Sequence, residues 1–230
     1  MSIEKEIELT KLKKIVRQAL SMLFFNDEHL LKYDVCEISI AHKLALYLGN
    51  FIKNYDIDIE YNRDFYDEDP KAVIGYFPKI EQLVARQAPQ KYQDLADILF
   101  LDEELKNKVK QEKMKEYYEI EIVKCIEEKK NIRPDIIIHE RGVKNNLLAI
   151  EIKKGTNSED AFYDIIKLYY LRNQNQYQYK HAAFIQIVKD NDEYFSHLYW
   201  IYKNRNEIKF HSETFPQKYK NKRPKYKRNE

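Results

Sequence analysis

The sequence predicts an α/β fold in which helices cover a mixed central sheet, and three patterns favour this class. Apolar residues recur at helical spacing over residues 4–25 and again over about 36–52. Two β-branched runs, Ile136–Ile138 and Leu147–Ile152, flank a connection containing Gly and Asn, which is typical of a β-hairpin. A later apolar run, Ala182–Val188, is typical of a buried strand. Helices that alternate with strands in this way are expected to pack as layers.

The first half of the chain is predicted to be two helices, a strand and a long insertion. Polar and apolar residues alternate over Asp56–Tyr61, which predicts the first strand. Pro and Gly interrupt residues 64–78, so we expect a loop there. Residues 79–130 are highly charged with loose helical periodicity, and they are too numerous for a simple connection between strands. We therefore predict a helical insertion.

The second half is predicted to add a helix, a strand and a closing hairpin to the sheet. Gly155 is expected to end the second hairpin strand, and an apolar face then predicts a helix that runs to about Arg172. After the strand at Ala182–Val188, the runs His197–Tyr202 and Glu207–His211 predict the closing hairpin.

The length and the charge distribution suggest one domain and a tail. The domain is predicted over residues 1–216, with 64–130 as its loop and helical insertion, and the tail over 217–230. Of the 40 basic and 38 acidic side chains, the tail holds seven basic and one acidic, which leaves 33 basic and 37 acidic. The basic residues of the tail are Lys218, Lys220, Lys222, Arg223, Lys225, Lys227 and Arg228. Such a tail suits phosphate binding, and it equally suits a disordered solubilising end.

Composition excludes several classes of site. With only four Gly, the chain contains no glycine-rich phosphate-binding motif. Its two cysteines, Cys36 and Cys125, do not have metal-ligand spacing. No apolar run approaches membrane length and no signal-peptide pattern is present, so we expect a cytoplasmic protein without a membrane partner.

Charged residues within the predicted hairpin form the strongest candidate site. Alternation along a strand places Glu151 and Lys153 on one face and Ile150 and Ile152 on the other. Asp135 lies at the start of the partner strand, and the loop length allows it to reach a position opposite Glu151. Charges are rarely placed in Ile-rich strands without a partner or a metal. The alternative is a solvent-facing Glu and Lys, with Asp135 as a turn residue.

These residues resemble a known pattern. Pro134-Asp135 and Glu151-Ile152-Lys153, with fifteen residues between the Asp and the Glu, resemble the core motif of the PD-(D/E)XK nuclease superfamily. The resemblance covers the hairpin closely and the flanking elements loosely. It implies a restriction-endonuclease-like αβββαβ core with a mixed sheet, to which this chain adds the insertion and the C-terminal hairpin. It also implies cleavage of nucleic acid, with DNA favoured, and by family analogy a role in restriction or phage defence.

The resemblance also implies roles for the hairpin residues. Asp135, Glu151 and the main-chain carbonyl of Ile152 would bind Mg²⁺ or Mn²⁺, because hard cations prefer oxygen ligands. Lys153 would orient or deprotonate the attacking water, or stabilise the charge of the pentacovalent phosphorane. We favour orientation and charge stabilisation, since an ammonium beside two carboxylates normally stays charged.

Two further charged residues, Glu37 and Lys167, lie outside the predicted hairpin. Glu37 precedes the first strand on a predicted helix, and the resemblance implies a further acidic metal ligand in that region. Alternatively, Asp34-x-x-Glu37 is a capping box in which Asp34 is the N-cap. Lys167 lies on the helix after the hairpin, and we expect it to be a solvated lysine rather than part of the site.

Three functions are compatible with this sequence. The leading one is a metal-dependent nuclease, because the Asp, Glu and Lys of the pattern are all present. The others are a non-catalytic nucleic-acid-binding module or subunit that retains the fold, and an unrelated interaction protein. The sequence leaves open whether the protein acts as a homodimer.

Overall fold

The computed structural model describes residues 8–33, 35–61, 63–64, 71–72, 74–78, 127–143, 145–155, 158–173, 177, 179–191, 193–204 and 207–216. The helices are α1 (Leu9–Asn26), α2 (Glu28–Lys32), α3 (Glu37–Gly49) and α4 (Ser158–Asn173). The strands are β1 (Asp56–Ile59), β2 (Arg63–Asp64), β3 (Lys71–Ala72), β4 (Ile74–Pro78), β5 (Glu127–Asn131), β6 (Ile136–Glu140), β7 (Asn145–Lys154), β8 (His181–Asp190), β9 (Glu193–Asn204) and β10 (Glu207–Phe215).

Six of these strands form one mixed, open sheet in the order β1-β6-β7-β8-β9-β10. β7 and β8 are parallel and joined through α4, whereas the other neighbouring pairs are antiparallel. The pairs β2–β3 and β4–β5 form two further small sheets. The predicted α/β class with a mixed central sheet is therefore confirmed. Along the chain, α3, β1, β6, β7, α4 and β8 occur in this order, with β2 to β5 between β1 and β6.

The central sheet has an apolar face and a face that carries charge. α1 packs on α3, and α3 packs on β1, β6 and β7. Ile150 and Ile152 lie fully buried in the cluster that these helices form with the sheet. Because side chains alternate, Glu151 between them points to the other face, where α4 packs on β7, β8 and β9.

The register of the hairpin brings the two predicted carboxylates together. Ile136 pairs with Ile150, so the next position outward places Asp135 opposite Glu151. Gly142 turns the hairpin with φ of 79°, in the left-handed region that a residue without Cβ adopts at low cost. As expected, β7 ends before Gly155, whose N–H donates to the carbonyl of Ile187 at 2.8 Å.

The closing hairpin is confirmed and is longer than predicted. β10 pairs with β9 along its whole length, from Glu207 opposite Asn204 to Phe215 opposite Ser196. Glu213 on β10 ties this hairpin to the first helix. Its carboxylate accepts hydrogen bonds from Arg17 at 2.8 Å and from the indole N–H of Trp200 at 3.1 Å.

Several predicted elements differ from the structure. The loop expected over residues 64–78 contains β3 and β4, and the C-terminal end of the expected helical insertion is the strand β5, which pairs with β4. Both predictions were wrong there, because pairing between segments distant in sequence overrides local propensity. The rest of the insertion, 79–126, and the tail, 217–230, lie outside the described residues, so the domain boundaries stay predictions. The short helix α2 was not predicted.

None of the helices that the structure describes is both long enough and apolar enough to cross a membrane.

The apolar face of β7 gives a test of the fold. Ile150→Ala should lower the free energy of unfolding by about 2–5 kcal/mol, because it leaves a cavity between the sheet and the helices. Val143→Ala, in the exposed hairpin turn, should change it by no more than about 0.5 kcal/mol. Urea denaturation of both variants measures this. Equal effects would contradict the burial of Ile150 in the apolar cluster between the sheet and the helices.

Candidate active site

Asp135 lies at the open end of the hairpin and is held there by hydrogen bonds from main-chain N–H groups of Ile152 and Glu60. Its Oδ2 accepts a hydrogen bond from the N–H of Ile152 at 2.6 Å. Its main-chain carbonyl accepts one from the N–H of Glu60 at 3.1 Å, where the chain leaves β1. The half-buried carboxylate therefore bridges the end of β7 and the start of β6.

Glu151 is a buried carboxylate on the central strand, with 2% of its surface exposed. Its Oε1 lies 2.8 Å from Nζ of Lys167 on α4. This oxygen accepts no well-aligned hydrogen bond from the described residues, so the contact is an ion pair. Lys167 was expected to be solvated, and that prediction was wrong: its side chain is 22% exposed and its ammonium points at Glu151.

Asp164 on α4 is a third carboxylate, which the sequence did not suggest. Its Oδ1 lies 2.6 Å from Nζ of Lys167 and its Oδ2 lies 3.3 Å from Nζ of Lys153. Residues three apart on a helix share a face, which aligns Asp164 with Lys167. An Asp-x-x-Lys pair on a helix is too common in sequences to have identified either residue in advance.

Glu37 reaches the same cluster from the first residue of α3. Its Oε2 lies 3.0 Å from Nζ of Lys153, and its Oε1 accepts the N–H of Lys154 at 3.0 Å. The neighbouring ammonium of Lys154 donates to the carbonyl of Val35. These contacts tie the N-terminus of α3 to the carboxyl end of β7.

The capping-box prediction for Glu37 was wrong. The helix begins at Glu37 with Cys36 as its N-cap and without a side-chain cap, whereas a capping box would place Glu37 at the third helical position. Asp34, the expected N-cap, lies outside the described residues. The role of Glu37 as a metal ligand stays a prediction. In this structure both of its carboxylate oxygens contact β7 instead.

Alternating charges run through these residues as one network. In order, the charge network consists of Glu151, Lys167, Asp164, Lys153 and Glu37. With Asp135 beside it, the site contains four carboxylates and two ammonium groups. The acidic excess means that a proton or a cation is needed for charge balance.

Burial and repulsion by Asp164 raise the pKa values of the two carboxylates that lie opposite each other. Burial raises the pKa of Asp135 to about 6, helped by the charge of Asp164 and opposed by the hydrogen bond from Ile152. Burial also raises the pKa of Glu151 well above its usual range, and Asp164 adds to this effect against the attraction of Lys167.

The two lysines shift in the direction that keeps them charged. Burial acts to lower the pKa of Lys153, but the carboxylates of Asp164 and Glu37 outweigh it and raise the pKa. Burial likewise acts to lower the pKa of Lys167, and Glu151 and Asp164 raise it overall. Both side chains are therefore ammonium groups, which donate hydrogen bonds but cannot accept a proton.

The donor atoms suit a hard divalent cation in part. Asp135 and Glu151 offer carboxylate oxygens, one of which, Oε1 of Glu151, is buried without a directed hydrogen bond. The main-chain carbonyl of Ile152 is the third oxygen that the resemblance implies. Within the described ranges, no group of three or more His, Cys, Asp or Glu side chains could hold a metal ion. A cation here would therefore depend on the main-chain oxygen as well as on the two carboxylates.

Comparison with known proteins does not assign this chain to a family. No family model, no curated protein and no solved structure matches it.

The raised pKa of Asp135 predicts how the metal-free protein responds to pH. The folded protein keeps the proton up to about pH 6, whereas the unfolded chain releases it near its ordinary pKa of 3.8. This group therefore lowers stability as pH rises between those values, by up to about 3 kcal/mol. Asp135→Asn removes that loss while its amide oxygen can still accept the N–H of Ile152.

In urea denaturation with EDTA, Asp135→Asn should be more stable than the parent by about 2–3 kcal/mol at pH 7.5, and the difference should vanish near pH 4. Glu140→Gln, an exposed carboxylate of the same hairpin, serves as the control and should change stability by no more than about 0.5 kcal/mol. A difference that is the same at both pH values would contradict the burial of the Asp135 charge.

Proposed function

We propose that this protein is a metal-dependent nuclease that hydrolyses phosphodiester bonds in nucleic acid, with DNA as the favoured substrate. The observation that carries the proposal is the position of Asp135 opposite Glu151, with Lys153 two residues further along the same strand. It is supported by the αβββαβ order of elements around them, which is the order of a restriction-endonuclease-like core.

The carboxylates of Asp135 and Glu151 and the carbonyl of Ile152 would hold Mg²⁺ or Mn²⁺. When bound, such a cation lowers the pKa of water and offsets negative charge on the phosphate. The charge balance of the site favours this role, because burial and the acidic excess raise the pKa values of Asp135 and Glu151, and a divalent cation would offset that excess.

Lys153 would act as a hydrogen-bond donor to the attacking water or to a phosphate oxygen. As the water oxygen bonds to phosphorus and the bond to the leaving sugar oxygen breaks, negative charge grows on the phosphate, and a fixed ammonium stabilises that charge. The raised pKa of Lys153 argues against its action as a general base. Glu37 would hold this ammonium in position through the 3.0 Å contact.

Nucleic acid as the partner also draws on the basic tail, which lies outside the described residues. Its role in phosphate binding stays a prediction, as do homodimer formation and the link to restriction or phage defence. A non-catalytic nucleic-acid-binding subunit is the second candidate, and one observation favours it: both lysines of the charge network already contact carboxylates, as in a purely structural cluster.

Cleavage assays test the proposal directly. Purified protein should cut circular or linear DNA with Mg²⁺ or Mn²⁺ and should not cut it with EDTA. Asp135→Ala and Glu151→Gln should each lower the rate by at least about a hundredfold, because each removes a charged oxygen ligand. Glu140→Gln should cut like the parent, and thermal melts should show that all variants fold.

The outcome separates the two candidates. A parent protein that binds DNA without cutting it under any of these conditions would support the non-catalytic subunit. Cleavage that survives Glu151→Gln would overturn the assignment of the site.

Glu37→Gln separates positioning from metal binding. Glutamine can still accept the N–H of Lys154, but it loses the charge that attracts Lys153. We expect kcat to fall by about tenfold while the Mg²⁺ concentration for half-maximal cleavage stays the same, since a charge-assisted hydrogen bond is worth roughly that factor. A metal titration of parent and variant measures both quantities. A raised Mg²⁺ requirement would instead assign Glu37 as a ligand.

A further inference from the structure

Lys167 occupies an unusual position in the charge network. Its Nζ lies 2.8 Å from Oε1 of Glu151 and 2.6 Å from Oδ1 of Asp164. The side chains of these acids are only 3% and 7% exposed. One ammonium therefore bridges two buried carboxylates, on two different elements of the fold.

The contact at Glu151 involves an oxygen that a cation would need. Among the described residues, no well-aligned hydrogen bond reaches Oε1, and the ammonium of Lys167 is in ion-pair contact with it. A divalent cation on the same oxygen would face a positive charge at close range. Such a cation can bind there only if the ammonium of Lys167 moves away from Oε1, so the ammonium and the cation compete for this oxygen.

Asp164 determines where the ammonium can go. A buried charge that loses its only partner is strongly destabilising. Lys167 has a second carboxylate within 2.6 Å, so it can release Glu151 and remain paired. Since Asp164 lies one helical turn from Lys167, this needs no movement of α4.

We propose that Lys167 is the resident counter-ion of Glu151 in the metal-free protein. It holds the buried Glu151 side chain in place through the 2.8 Å contact, competes with the incoming divalent cation, and stays with Asp164 once the cation is bound. Lys167 thereby sets the metal affinity of the site. The proposal rests on the proposed function in one respect, namely that Glu151 binds a divalent cation.

Lys153 provides a matched control for a general charge effect. It is also an ammonium, it is exposed to a similar degree, and it contacts the same Asp164 at 3.3 Å. Its other partner is Glu37, not Glu151. Loss of either lysine removes one positive charge from the network, but only Lys167→Met frees the carboxylate of Glu151.

Isothermal titration of the metal-free full chain with Mn²⁺ tests the proposal without reference to cleavage. Lys167→Met should bind Mn²⁺ about tenfold more tightly than the parent, because the competing ammonium is gone. Lys153→Met should tighten binding by no more than about threefold, the general effect of one nearby charge. Lys43→Met, which removes an ammonium 3.5 Å from the buried Asp27 elsewhere in the fold, should leave the affinity unchanged.

Asp164→Asn gives a second measurement that does not depend on the folding of Lys167→Met. With Asp164 uncharged, the ammonium of Lys167 is held by Glu151 alone, so Mn²⁺ should bind about threefold to tenfold more weakly than in the parent. Thermal melts with and without Mn²⁺ should agree: the metal should stabilise Lys167→Met more than the parent and Asp164→Asn less.

Each result either supports or overturns the proposed role of Lys167. Equal tightening by Lys167→Met and Lys153→Met would overturn the proposal in favour of a general charge effect, and so would an unchanged affinity in Lys167→Met or Asp164→Asn. In either case Mn²⁺ binding by the parent would leave the proposed nuclease function standing. A parent chain that binds no Mn²⁺ would overturn both.

Discussion

The burial of Glu151 on the central strand is the constraint from which the rest of the site follows. A carboxylate with 2% of its surface exposed is costly unless it has a counter-charge. Lys167 supplies one, but a half-buried ammonium beside Glu151 is itself stabilised by a second acid, Asp164. Asp164 is buried in turn and pairs with Lys153. The charge network ends at Glu37. Its side chain is 33% exposed, so water can solvate its carboxylate.

This chain of dependence explains why elements from both sides of the sheet meet at one place. α3 lies on the apolar face and α4 on the charged face, yet both send an acidic side chain to the carboxyl end of β7. Asp135 closes the same region through its hydrogen bond to the N–H of Ile152. The end of β7 is therefore held by contacts to Asp135, α3 and α4.

The balance of charge connects this architecture to the proposed chemistry. Four carboxylates face two ammonium groups, and burial, together with the charge of Asp164, raises the pKa values of Asp135 and Glu151. Strongly shifted pKa values cluster at functional sites, and structural ion-pair networks produce them as well. A divalent cation would offset the excess negative charge and favour the charged form of both groups. Its binding would also free Glu151 from Lys167.

The features that depend on local pattern could be predicted from the amino-acid sequence. The hairpin of β6 and β7, the face on which Glu151 and Lys153 lie, and the end of β7 at Gly155 follow from side-chain alternation and turn residues, which act over a few positions. The ion-pair partners of the charged side chains in the site depend on how the helices pack on the sheet. Lys153 and Glu37 are 116 positions apart, and the helix of Asp164 and Lys167 has an ordinary sequence, so that nothing local signals their contacts with β7. The strand β5 was missed for the same reason, since its highly charged sequence becomes a strand through pairing with β4, which is distant along the chain.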